Sequence, residues 1–87
     1  MPTEAELVEK AAHYLYPNYR QPPFVIVRGK GCELWDKSGK RYLDFHGGIA
    51  VSTLGHAHPR LVEAVASQAA QVIHLSNYFY NEPNVQL

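Results

Sequence analysis

Three short runs rich in β-branched and aromatic residues lie close together: FVIVR from Phe24 to Arg28, CELWD from Cys32 to Asp36, and RYLDF from Arg41 to Phe45. Gly29-Lys30-Gly31 and Lys37-Ser38-Gly39-Lys40 separate them, with glycine available wherever a turn requires φ > 0. The pattern predicts a three-stranded antiparallel meander within residues 22–46. Three strands with one apolar face are marginal alone and need something to pack on.

Upstream, Thr3 and Glu6 have capping-box spacing, and Leu7, Ala11, Tyr14 and Leu15 recur at helical intervals opposite Glu6, Glu9 and Lys10. A helix from about Glu4 to Leu15 follows, ended by Pro17. Pro22 and Pro23 then force an extended approach to the meander. Residues 1–21 are thus a helix and a linker.

Residues 47–87 hold a different kind of chain. GGIAVSTLGHAHP is apolar without clean helical or strand alternation, and its glycine pair permits close approach by another group. It reads as a buried, irregular apolar loop. Pro59 stands where a first helical residue belongs, and Leu61, Val62, Val65, Ala69, Val72 and Ile73 form one stripe against Arg60, Glu63, Ser67, Gln68 and Gln71. This predicts an amphipathic helix. Asn81 as N-cap with Pro83 behind it starts another helix near Glu82.

Composition excludes several function classes. Eight basic and eight acidic side chains cancel, and the basic ones are scattered, so no stripe is available to nucleic acid or an anionic membrane. No stretch approaches the ~20 apolar residues of a membrane span, and MPTEAELVEK has neither the basic nor the apolar region of a secretory signal. A cytoplasmic location is expected. Cys32 is the only cysteine and reads as a small apolar strand residue, so neither an intrachain disulfide nor a thiolate zinc cage is available.

The order and spacing of PPFVIVRGKGCELWDKSGKRYLDF, GGIAV, GHAHP, LVEAV and SNYFYNEP, from about Pro22 to Leu87, resembles the class III aminotransferases, and within them the acetylornithine type. The resemblance implies an α/β pyridoxal-phosphate transferase of fold type I for the complete enzyme. This chain would be its α+β N-terminal segment, without the large cofactor domain. Implied partners are an amino acid and a 2-oxoacid, N-acetylornithine and 2-oxoglutarate in arginine biosynthesis, with a homodimer as the assembly. Ornithine, succinylornithine, 4-aminobutyrate or another ω-amino compound is the alternative donor.

By the same resemblance, the residues after the glycine pair line the substrate pocket. That points to Gly48 and Ile49, with Ala50 and Val51 beside them, and Tyr80 matches a position touching the substrate side chain in ornithine aminotransferases. There the equivalent of Ile49 is a tyrosine that binds the free α-amine. Isoleucine makes no such hydrogen bond, which fits a donor whose α-amine is acylated.

No catalytic residue is expected here. Lys10 lies on the polar side of the first helix, Lys30, Lys37 and Lys40 fall in turns, and a Schiff-base lysine needs a desolvated setting. No glycine-rich turn opens a helix to cradle a phosphate. The chain alone is therefore expected to be catalytically silent. His56 and His58 read as hydrogen-bonding residues ordering the loop rather than as a metal pair, Asp44 as a turn anchor, and Trp35 as structural. The competing reading is a small non-catalytic binding or assembly module.

Overall fold

The computed structural model describes all residues, Met1–Leu87. Helix α1 (Glu4–Tyr14) starts on its capping box: Thr3 Oγ1 accepts the Glu6 N–H at 3.2 Å and Glu6 Oε2 accepts the Thr3 N–H at 3.0 Å. Leu15 is already extended, ahead of Pro17. Glu4 Oε2 also accepts the Val25 N–H at 2.9 Å, tying the first helical turn to the chain entering the sheet.

The meander forms as β1 (Ile26–Lys30), β2 (Glu33–Asp36) and β3 (Arg41–Leu43), in that spatial order and antiparallel throughout. Its first strand is displaced from the expected run. Gly29 and Lys30 pair with Leu34 and Glu33 inside the ladder, a bulge falls between Ile26 and Arg28, and the turn shrinks to Gly31-Cys32. Gly31 has φ +59 at the first central position, where a type II′ hairpin takes glycine. Cys32 accordingly sits exposed in the turn, not in a strand.

Asp36 organises the second turn and is the one buried residue, at 4% exposure. Its Oδ1 accepts the Ser38 N–H (3.0 Å), the Ser38 hydroxyl (2.7 Å) and the Lys40 N–H (2.9 Å), while Oδ2 accepts the Tyr42 hydroxyl (2.8 Å). These bonds, the Ser38 hydroxyl foremost, hold the Asp36 carboxyl below the usual range. Burial first, then the Asp36 carboxylate, pushes the Tyr42 phenol up. Phe24 stacks on Tyr42 with centroids 4.7 Å apart, and the Arg28 guanidinium lies 3.8 Å over Trp35.

Beyond β3 come a single turn, α2 (Gly47–Ala50), helix α3 (Pro59–Ala69), a 3₁₀ turn at Ser76–Tyr78, and α4 (Glu82–Gln86). His58 caps α3, its Nδ1 accepting the Arg60 N–H at 3.2 Å; Asn81 caps α4, accepting the Asn84 N–H at 3.0 Å. Val72 and Ile73, members of the apolar stripe in sequence, fall past the end of α3.

No apolar side chain is buried. The Cα radius of gyration is 17.6 Å, whereas a compact 87-residue domain has about 12 Å. The accessible surface is 8229 Å², roughly 3,000 Å² above that of a compact monomer of this mass. The apolar stripe of α3, with Leu61, Val62 and Val65, stands uncovered. The GGIAV stretch, expected to be buried, is on the surface for the same reason: no second layer lies over it.

Candidate functional site

Gly47, Gly48, Ile49 and Ala50 have φ of 58°, 66°, 64° and 61° in succession. With ψ of 39° at Gly48 and 56° at Ile49, the chain here winds one turn in the left-handed sense. The Ala50 N–H donates to the His46 carbonyl (2.9 Å), and the Val51 and Ser52 N–H groups both donate to the Gly47 carbonyl (2.7 and 2.8 Å). Glycine enters this region freely; isoleucine and alanine do so at about 1–2 kcal/mol each. The stretch expected to be irregular is regular but of the opposite hand.

Asp44 and two histidines hold the turn in place. Asp44 Oδ1 accepts the N–H groups of His46 and Gly47, both at 2.9 Å, and Oδ2 lies 2.6 Å from His56 Nε2. The Gly47 amide first, then His56 and the His46 amide, hold the Asp44 carboxyl down at about 2. His46 Nδ1 in turn accepts the Ile49 N–H at 3.2 Å. His56 is itself locked to the first hairpin by paired backbone hydrogen bonds with Gly31.

Two glycines make that approach possible. A Cβ on Gly29 would stand 2.8 Å from Cβ and Cγ of His56, and one on Gly55, at φ +76, would stand 2.8 Å from the Gly31 carbonyl oxygen. The loop from Asp44 to His56 is thus fastened at both ends, and its left-handed turn is presented outward.

Gly48, Ile49, Ala50 and Val51 are brought together on this turn, and Ile49 and Val51 are 79% and 74% exposed. Tyr80 is not part of the cluster: it lies in the extended stretch before α4, 96% exposed. Asp44 anchors a turn as expected, and His58, expected to order the loop before Pro59 by hydrogen bonding, does so as the cap of α3. The residue pattern alone does not pair Asp44 with His56 or single out His46, and the only signal for the contact is Gly55 directly before His56.

Chemically, the cluster offers an apolar, sterically defined edge and no nucleophile. Of the four lysines, Lys10, Lys30 and Lys40 are exposed and Lys37 half-exposed, with Lys30 at the end of β1 rather than in a turn. None has the desolvated setting that activates an amine toward a carbonyl cofactor. These residues can shape a pocket.

The chain is 49% identical over 81 residues to the acetylornithine aminotransferase of Myxococcus xanthus, covering 93% of this chain and 20% of that protein. It is 54% identical over 82 residues to the acetylornithine aminotransferase of Streptomyces coelicolor, covering 94% and 20%. The crystal structure of acetylornithine aminotransferase from Elizabethkingia anophelis superposes with a TM-score of 0.94 at 32% identity, over 99% of this chain and 22% of that one. The chain therefore spans about a fifth of the length of the relatives it matches. The profile of the family described as Aminotransferase class-III matches residues 14–87, and with the shared fold of the meander, turn and helices this establishes that the chain belongs to the class-III aminotransferase family.

Proposed function

We propose that this chain is the N-terminal part of a pyridoxal-phosphate aminotransferase that moves the terminal amino group of N-acetylornithine to 2-oxoglutarate. In that role it serves arginine biosynthesis in the cytoplasm, as one subunit of a homodimer. The names of the similar proteins support the acetylornithine type. The observation that carries the reading is Ile49, held outward on a left-handed turn whose backbone is pinned by His46 and Asp44.

The cofactor, when bound, supplies the aldehyde that takes up the amine and the ring that withdraws electrons. This chain's residues act on the rest of the substrate. Gly48, Ile49, Ala50 and Val51 present an apolar wall to the donor's α-amine end. A free α-ammonium set against that wall would lose water and gain no acceptor, a far larger penalty than a missing methylene contact. An acylated amine carries no charge and is excluded less. Tyr80 is assigned to the substrate side chain, reached once the uncovered faces are packed.

Amino transfer by the full-length enzyme decides the matter. With 2-oxoglutarate as acceptor, kcat/KM for N-acetylornithine should exceed that for ornithine, N-succinylornithine and 4-aminobutyrate. A higher value for ornithine or 4-aminobutyrate would overturn the acetylornithine assignment.

A further inference from the structure

Asp44 and His56 are not among the residues assigned to substrate, yet they fix the two amides that open the left-handed turn and tie the turn to the first hairpin. Asp44 fixes the two amides that open the turn, His46 and Gly47. His46 holds the Ile49 N–H. His56 fixes Asp44 from the far side and is anchored to Gly31 through the backbone. A β-branched residue in the left-handed region persists only where its surroundings over-determine it. Here those surroundings are one carboxylate and two imidazoles, added to the turn's own backbone hydrogen bonds.

We propose that the Asp44–His56 pair is the positioning device for amino-donor selectivity: it holds the Gly47–Ala50 turn left-handed and thereby sets where Ile49 stands. This rests on the acetylornithine reading above. If the pair is weakened, Ile49 gains access to ordinary right-handed or extended conformations, and the wall against a free α-amine moves. A displacement of about 1 Å in such a wall is enough to change a rate by a large factor. Selectivity then falls more than stability requires.

The test uses the full-length holoenzyme with Asp44→Asn, His56→Gln and the double variant. The readouts are the ratio of kcat/KM for N-acetylornithine over ornithine, the melting temperature, and amide hydrogen exchange across residues 46–52. Asn can still accept from the two amides, and Gln can still reach the carboxylate, so both variants retain a route to folding. The expected result is a fall of about tenfold in the ratio for each single variant, no further fall in the double, and lost protection at Ile49.

Asp36→Asn serves as the control, since it weakens a buried network in the other hairpin turn. It should lower the melting temperature and leave the ratio alone. An unchanged ratio in Asp44→Asn and His56→Gln, or an equal fall in Asp36→Asn, overturns the positioning role. If the wild-type enzyme does not use N-acetylornithine, the proposed function fails, and hydrogen exchange decides separately: unchanged protection at residues 46–52 in Asp44→Asn overturns the positioning role as well, and lost protection upholds it.

Discussion

Gly31 and His56 exchange both of their backbone hydrogen bonds, at 2.9 and 2.8 Å, so that the tip of the first hairpin and the end of the apolar loop form one bridge. The bridge exists because neither Gly29 nor Gly55 carries a Cβ. A local choice of two glycines thus decides a long-range contact.

Gly55→Ala should be the most damaging single methyl in this region. It would place Cβ against the Gly31 backbone, which cannot yield like a side chain, and would strain φ at +76°. A loss of about 2–4 kcal/mol is expected for the full-length enzyme. Gly29→Ala should cost less, because its clash is with the His56 side chain. Denaturant unfolding of the two variants would check both the size and the order.

Ile49→Gly should raise stability by about 1 kcal/mol, since glycine enters the left-handed region without the Cβ penalty. Ala50→Gly should do the same. Ile49→Gly strips far more of the apolar wall than Ala50→Gly, so it should lose far more selectivity against ornithine. Melting temperatures and donor ratios measured together would separate the two effects.

Ile49→Tyr should shift preference toward free ornithine by supplying a hydroxyl to the α-amine. The quantity to measure is the kcat/KM ratio of ornithine to N-acetylornithine. An unchanged ratio would remove Ile49 from the pocket wall.

Stability at low pH should carry the mark of Asp44. Its carboxyl is lowered to about 2 in the folded chain from an ordinary 3.8, so its contribution is fully present above pH ~4. It is lost progressively as pH falls from there through about 2, because protonation removes the acceptor that the amides and His56 use. Unfolding of wild type and Asp44→Asn from pH 7 to 2 should converge over that window.

The 87-residue chain by itself should not melt cooperatively, because it buries no apolar side chain. Calorimetry of the isolated chain should show no sharp transition, and a hydrophobic dye should bind it. A sharp transition in a monomer would instead favour an independent binding module.

Local chemistry made much of this fold legible in the sequence. Thr3 and Glu6 announce the start of α1, Pro59 behind His58 the start of α3, and Asn81 the start of α4, because each cap is a contact between residues three or fewer apart. The three strands follow from runs rich in β-branched and aromatic residues between glycine-bearing turns. Hidden from the sequence were the placement of Gly29 inside β1, the left-handed sense of the Gly47–Ala50 turn, and the union of Asp44 with His56. Each depends on atoms distant along the chain: Gly29 pairs with Leu34 and has no room for a Cβ because the His56 side chain packs over it, and isoleucine is held left-handed by a turn whose carboxylate a remote histidine fixes. Periodicity and capping report only what neighbours do, whereas those three features are set by what the folded backbone brings into contact.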